Sequence, residues 1–152
     1  MSNVLIKNVQ IVNEGKITVS DILIGNQRIL KIEQGIGNKY NAREINGENK
    51  YLLPGVIDDQ VHFREPGLTH KANIHSESMA AVAGGTTSFM EMPNTKPPAL
   101  TQELLEEKYA IAANNAVANY SFFMGTSNDN ADEVLKTNDN KENVCGVKIF
   151  MG

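Results

Sequence analysis

The first third of the chain carries short runs of β-branched and aliphatic residues, such as residues 4–6 and 22–24. Turn-forming residues such as Gly25 and Asn26 separate these runs. Breaks of this kind between apolar runs are typical of a meander of short β-strands. We therefore predict a small β-sandwich-like domain over residues 1–53. Within it we predict a hairpin over residues 21–29, with its turn at Gly25 and Asn26.

From Leu53 onward the apolar pattern alternates between strands and helices. Strand, helix and strand at this spacing indicate parallel strands joined by right-handed crossovers. The class is therefore α/β, and residues 54–152 are predicted to form the first half of a (β/α)8 barrel of the TIM type, because such a barrel needs eight strands. We expect the chain to be part of a longer one, and an open four-stranded domain is the alternative. The predicted strands are 53–58, 86–92, 119–124 and 144–150, and the predicted helices are 74–83, 101–117 and 131–137.

Composition and charge exclude several classes of partner. The net charge is −4, so the sequence offers no basic surface for nucleic acid or an anionic membrane. The apolar runs are too short to cross a bilayer, and the first residues lack the apolar core of a signal peptide. The single cysteine, Cys145, excludes an intrachain disulfide and suits a reducing compartment. We therefore expect a soluble, cytoplasmic protein with no nucleic-acid or membrane partner.

Polar side chains lie along and after the first strand of the second region. Asp58, Gln60 and His62 alternate along the chain and so share one face of that strand. Polar groups at the end of a buried strand are costly unless they bind something. In parallel α/β folds, this end of the strand is where binding sites are built. A lone histidine in this position is more often a hydrogen-bonded residue of the core, so the spacing by itself does not identify a site.

Four segments resemble signatures of the dihydroorotases, which are cyclic amide hydrolases of the amidohydrolase superfamily. The segments occur in the family's order and at similar spacing. The resemblance covers essentially the whole chain, since the family also begins with a small β domain. Arg64 and Asn94 favour a dihydroorotase over the related hydantoinases and allantoinases. The segments are PGVID with HFREPG at 54–58 and 62–67, AAVAGGTT at 80–87, MPNTKP at 92–97 and GVKIF at 146–150.

The resemblance implies reversible hydrolysis of (S)-dihydroorotate to N-carbamoyl-L-aspartate in de novo pyrimidine biosynthesis. The family binds one or two divalent metal ions, usually zinc, and a metal-bound hydroxide attacks the ring amide. It implies that His62 and Lys148 belong to the metal site, Lys148 being carbamylated in part of the family. It also implies that Arg64 and Asn94 hold the substrate carboxylate. The family's catalytic aspartate comes from a later strand, beyond Gly152, so the resemblance assigns no catalytic residue here and predicts that this chain alone is inactive.

One position departs from the family's pattern. The family's His-x-His pair is Gln60-Val61-His62 in this chain. Glutamine offers a neutral carbonyl oxygen, which is a much weaker zinc ligand than imidazole. Three interpretations are open: a site with one metal, a site in which Gln60 is a poor ligand or a hydrogen-bonding neighbour, and an inactive site in a protein kept for assembly. The presence of Arg64 and Asn94 favours an active site.

Each assignment also has a purely structural alternative. Arg64 could pair with Glu65, Asn94 could serve only as a turn former, and Lys148 could extend outward between helices. His75 falls inside a predicted helix, where a packed or solvated role is expected. The charged run of Glu103, Glu106, Glu107 and Lys108 is predicted to form the solvent-exposed face of a helix.

Three other kinds of protein remain as alternatives. A hydantoinase or dihydropyrimidinase would act on rings that lack the carboxylate. A non-catalytic structural homologue would bind a partner enzyme of the pathway, and Gln60 is its main support. A stand-alone α/β binding domain is the third. For the favoured interpretation we expect a small-molecule substrate, and either a homo-oligomer or association with aspartate transcarbamoylase.

Overall fold

The computed structural model describes residues 3–37 and 39–151, and it divides into two units, Met1–Pro54 and Gly55–Gly152. Residues 1, 2, 38 and 152 of the two predicted domains lie outside the described residues. Each unit is described by itself. The strands of the first unit are β1 (Val4–Asn13), β2 (Lys16–Gly25), β3 (Arg28–Glu33), β4 (Arg43–Asn46) and β5 (Tyr51–Leu52).

The first unit is built around β1, which pairs on both of its edges. It pairs with β2 antiparallel, and β2 pairs with β3 antiparallel. On its other edge β1 pairs with β4 and β5, and both run parallel to it. The predicted meander is therefore right for the first three strands and wrong for β4 and β5, because the chain returns to the far edge of β1 instead of adding to β3. The described strands form one five-stranded sheet, so the sandwich-like arrangement stays a prediction.

The predicted hairpin forms between β2 and β3, with its turn one residue later than expected. Gly25 pairs with Arg28, so Asn26 and Gln27 are the two central residues of the turn. Both have a positive φ, 50° and 60°, as a type I′ turn requires. Gly25 has another role, because a Cβ there would collide with the side chain of Asn3.

The second unit alternates strands and helices, as predicted. All strand pairs are parallel, and the sheet order is the order in which the strands follow one another along the chain. The last strand is shorter than the predicted 144–150, because it pairs only with Phe123, Met124 and Gly125 of the strand before it. The elements are β6 (Val56–Val61), α1 (Ile74–Gly84), β7 (Thr86–Glu91), α2 (Gln102–Asn115), β8 (Asn119–Gly125), α3 (Ala131–Lys136), a 3-10 turn (Thr137–Asn140) and β9 (Gly146–Lys148).

Capping residues fix the ends of the two longer helices. The side chain of Thr101 accepts a hydrogen bond from the Leu104 amide at 3.2 Å, as expected for the residue that begins α2. The α1 helix ends at Gly85, whose φ of 95° is a left-handed conformation that glycine adopts without strain. Leu105 on α2 is fully buried in a core that includes Phe89 of β7. The shared core of Leu105 and Phe89 shows that α2 packs against the sheet.

One residue of α2 contradicts the sequence prediction. Lys108 was expected on the solvent-exposed face, but its side chain is only 1% exposed and forms an ion pair with Glu91. Positions three and four apart lie on the same face of a helix, and Lys108 stands between the buried Leu105 and Ala112. The lysine therefore belongs to the buried stripe of α2. The other members of the charged run, Glu103, Glu106 and Glu107, are exposed as predicted.

Candidate functional site

The parallel strands of the second unit bring four chain segments to one edge of the sheet. Parallel strands place their carboxyl ends together, which is where α/β folds bind ligands. The Met92 amide after β7 donates to the Val61 carbonyl at the end of β6, at 3.0 Å. The Thr126 amide after β8 donates to the carbonyl of Lys148 in β9, at 3.1 Å. The segments after β6 and β7 therefore begin side by side, and those segments carry the candidate residues.

A hydrogen bond joins two of the predicted site residues. Nδ1 of His62, just after β6, lies 2.9 Å from Oδ1 of Asn94, which follows β7 and is 32 positions further along the chain. An amide oxygen only accepts, so this contact is a hydrogen bond when Nδ1 of His62 carries the proton. The other ring nitrogen, Nε2, is then left with its lone pair, as a metal-binding imidazole needs. The contact thus orients the His62 ring and favours the tautomer that leaves Nε2 free for a metal ion.

Arg64 lies on the same loop as His62 and has a strained backbone. Its φ is 69°, a left-handed conformation that residues other than glycine rarely adopt. Within residues 3–37 and 39–151, its guanidinium forms no ion pair. The pairing with Glu65 considered from the sequence is not formed, because Glu65 accepts a hydrogen bond from the Ile74 amide at the start of α1, at 2.9 Å. Arg64 is half-buried, and its charge is not taken up by that carboxylate.

The loop that carries Arg64 packs closely against the loop that carries Asn94. The Lys96 amide donates to the Pro66 carbonyl at 3.1 Å. Gly67 has a φ of 81°, and a Cβ there would collide with the Lys96 carbonyl oxygen. Only glycine fits both the conformation and the space at this point. The close approach of the two loops follows from that glycine.

A buried ion pair that the sequence analysis missed lies behind these loops. Nζ of Lys108 is 2.9 Å from Oε2 of Glu91, and each side chain is 1% exposed. Burial raises the pKa of the Glu91 carboxyl and lowers the pKa of the Lys108 ammonium, and each charge partly offsets the shift of the other. Two signals were present in the sequence: a lone carboxylate that directly follows Phe89 and Met90 at the end of a strand, and a lysine within the apolar stripe of a helix.

Comparison with known proteins places the chain in a family. A family model described as Dihydro-orotase-like matches residues 49–144. The chain belongs to the dihydro-orotase-like family. A dihydroorotase of Carboxydothermus hydrogenoformans is 50% identical over 91 residues, which cover 60% of this chain and 21% of that protein. A dihydroorotase of Ligilactobacillus salivarius is 41% identical over 105 residues, covering 68% of this chain and 24% of that protein.

Solved structures of related cyclic amide hydrolases share the fold of this dihydro-orotase-like chain. L-hydantoinase from Arthrobacter aurescens aligns with a TM-score of 0.89 and 28% identity, over 97% of this chain and 32% of that one. A dihydropyrimidinase from Brevibacillus agri NCHU1002 aligns with a TM-score of 0.84 and 27% identity, over 99% and 33%. The chain spans about a fifth to a quarter of the length of the curated relatives described above. The predicted family and the predicted α/β fold, the first half of a TIM-type barrel, are confirmed.

The residues of the dihydro-orotase-like chain fit one ligand of a metal centre but not a complete one. Nε2 of His62 has the free lone pair that a ligand needs, given the hydrogen bond at Nδ1. Nζ of Lys148 lies over the Phe150 ring, 5.4 Å from its centre, and Gln60 is exposed. In the described part of the chain, no group of three or more His, Cys, Asp or Glu side chains is placed to hold a metal ion. The predicted pairing of His62 with Lys148 at a metal thus stays a prediction.

His75 is exposed, and its Nδ1 lies 3.0 Å from the Asn115 carbonyl oxygen, a contact that links α1 to the end of α2. This agrees with the packed or solvated role expected from its helical position.

Among the described residues, no helix combines the length and the apolar character that a membrane span requires.

Proposed function

We propose that the whole protein, meaning the complete polypeptide that carries this chain, is a dihydroorotase. It would interconvert (S)-dihydroorotate and N-carbamoyl-L-aspartate. The observation that carries the proposal is the hydrogen bond between His62 and Asn94, which joins two of the family's signature segments, with Arg64 on the same loop as His62. The curated relatives named dihydroorotase support the same activity.

In this proposal Arg64 and Asn94 bind the substrate carboxylate. A guanidinium is planar and can donate two parallel hydrogen bonds to one carboxylate. Asn94 uses its Oδ1 to hold His62, so its amide nitrogen is left to donate to the substrate. One asparagine would thus orient the histidine and contact the substrate. It would link the proposed metal ligand, His62, to the proposed binding site for the substrate carboxylate.

The proposal includes a divalent metal ion, zinc, with Nε2 of His62 as one ligand and a carbamylated Lys148 as another. When bound, such an ion supplies a hydroxide near neutral pH and polarises the amide carbonyl. The chain's own contribution is positional: Asn94 fixes the imidazole, and Arg64 orients the ring through its carboxylate. No catalytic acid or base is assigned to residues 1–152.

Gln60 gives a direct test of the metal assignment. Replacing Gln60 with histidine restores the family's His-x-His pair and is expected to raise the zinc affinity of the whole protein. A residue that only hydrogen-bonds a ligand typically changes metal affinity 10- to 100-fold, so a direct ligand should change it by about tenfold or more. Competition with a chromophoric chelator measures the affinity. Gln60→Ala is the control, and equal affinities for Gln60→His and the unsubstituted protein would remove this position from the metal site.

A hydantoinase or dihydropyrimidinase is the second candidate, because the solved structures carry those names. The two candidates differ in whether the ring carries a carboxylate. We expect the whole protein to prefer dihydroorotate over dihydrouracil and hydantoin by about 100-fold or more in kcat/KM, since hydrogen bonds to charged groups contribute roughly 1.5–3 kcal/mol each. Initial rates with the three substrates distinguish the two candidate functions. Better use of either neutral ring would favour the second candidate.

The proposal extends to organisation, location and assembly. We propose that the chain comprises a small β domain over residues 1–53, followed by half of a hydrolase barrel over residues 54–152. We place the protein in the cytoplasm, which the single cysteine supports. Its partners would be a small-molecule substrate and either further copies of itself or aspartate transcarbamoylase, as the family resemblance implies.

A further inference from the structure

The buried pair of Glu91 and Lys108 is costly for the fold. Both side chains are 1% exposed, so both charges have given up their contact with water. Buried ion pairs often contribute no more stability than apolar residues of similar shape, because desolvation cancels the attraction between the charges. Burial shifts the pKa of each group towards its neutral form, which agrees with this cost. Stability alone therefore does not explain the pair, and the groups that Glu91 and Lys108 contact indicate its role.

Glu91 holds the backbone of the loop that carries Arg64. Its Oε1 accepts a hydrogen bond from the amide of Phe63, the residue directly before Arg64, at 3.1 Å. Phe63 is itself anchored, because its ring lies 4.5 Å from the Phe89 ring, measured between centroids. Arg64 has the strained φ of 69°. A buried carboxylate that accepts from the amide directly before Arg64 stabilises the backbone that leads into this strained residue.

Lys108 ties the same carboxylate to the segment that leads to Asn94. Its Nζ donates to the Met92 carbonyl at 3.0 Å, two residues before Asn94. It also lies over the Phe122 ring, 4.9 Å from its centre. The lysine therefore fixes the position of the Glu91 side chain relative to the end of β7. Neither charged group is exposed at the edge where the proposed substrate would bind.

We propose that Glu91 is a positioning residue for the substrate carboxylate, and that it acts by holding the backbone at Phe63, directly before Arg64. The inference rests on the proposed function. It assigns Glu91 no contact with the substrate. The guanidinium of Arg64 would be placed correctly because a buried acceptor holds the Phe63 amide, one residue before it.

Two double variants of the whole protein separate positioning from simple packing. Glu91→Gln with Lys108→Met removes both charges and keeps an oxygen that can accept from the Phe63 amide. Glu91→Leu with Lys108→Met removes the charges and the acceptor together. We expect the KM for dihydroorotate to stay within about threefold in the first variant and to rise about tenfold or more in the second, since small misplacements of binding groups are costly. In both, kcat should change less than KM.

The results that overturn the inference are specific. Equal KM values in the two double variants would show that the acceptor has no positioning role. A lower Tm without a change in KM in the leucine variant would show that Glu91 serves only stability. If the leucine variant does not fold, Glu91→Met with Lys108→Met replaces it, and the same two outcomes are decisive.

Amide exchange separates this inference from the proposed function. If the unsubstituted protein does not hydrolyse dihydroorotate, the proposed function is wrong, and hydrogen exchange at the Phe63 amide then decides about Glu91. Faster exchange at this amide in the leucine variant than in the glutamine variant supports a backbone held by the residue 91 side chain. Equal amide exchange rates in the two variants would overturn the inference about Glu91.

Discussion

Replacing Arg64 with alanine raises the KM of the whole protein for dihydroorotate by about 10- to 100-fold, if Arg64 binds the substrate carboxylate. A hydrogen bond to a charged group contributes roughly 1.5–3 kcal/mol, which corresponds to this range. The reason for the choice is structural. Arg64 is half-buried beside the His62 loop, and its guanidinium forms no ion pair within the described residues. Steady-state kinetics with dihydroorotate measure the effect.

Two further variants make this test selective. Arg64→Lys keeps the charge but loses the planar pair of donors. Its KM should therefore fall between those of the unsubstituted protein and Arg64→Ala. Arg28→Ala removes an exposed arginine from β3 in the first unit and should leave KM unchanged. Unchanged kinetics in Arg64→Ala would remove Arg64 from the substrate site.

Replacing Lys108 with methionine, and leaving Glu91 in place, is expected to lower the free energy of unfolding by about 3–5 kcal/mol at neutral pH. The substitution leaves a buried carboxylate without its counter-charge, since Glu91 is 1% exposed and pairs with Lys108 at 2.9 Å. Urea denaturation of the whole protein, followed by circular dichroism, measures the loss.

The loss should depend on pH in a definite direction. Burial already raises the pKa of Glu91, and removing Lys108 takes away the charge that opposes this rise. A carboxyl whose pKa is higher in the folded state than in the unfolded state destabilises the fold as pH rises above the unfolded value, about 4.5. The variant should therefore lose stability relative to the unsubstituted protein between about pH 4 and neutrality.

The charge argument has its own controls. Adding Glu91→Gln to Lys108→Met should recover most of the lost stability, because no buried charge is then left. Lys141→Met removes an exposed lysine and should change stability by less than about 0.5 kcal/mol. A loss below about 1 kcal/mol in Lys108→Met would contradict a buried, charged Glu91.

The local signals for the fold could be predicted from the sequence. The cap at Thr101 and the glycine stop at Gly85 gave the start of α2 and the end of α1, because both depend on neighbouring residues only. The parallel pairing of β4 and β5 with β1 could not be predicted, since it depends on where the chain returns after β3. The turn lies at Asn26 and Gln27, one residue later than predicted, because Gly25 pairs with Arg28 and so belongs to the strand.

The site was predictable only in part, for a similar reason. The family resemblance supplied His62, Arg64 and Asn94 as candidates, but their hydrogen bonding depends on the pairing of β6 with β7. Glu91 and Lys108 were missed because charged residues are usually exposed, and neither position shows its partner in the sequence. The metal-site roles of His62 and Lys148 stay predictions, which Gln60→His and metal removal can test.

Hydrolysis of dihydroorotate by the whole protein, before and after treatment with a strong chelator, tests the central claim most directly. A metal-dependent dihydroorotase should be active as purified, lose its activity on chelation and regain it with zinc. This result would also show that Gln60 is tolerated in place of the family's histidine. No hydrolysis, even with zinc and bicarbonate added, would contradict the proposed activity and favour a non-catalytic structural homologue.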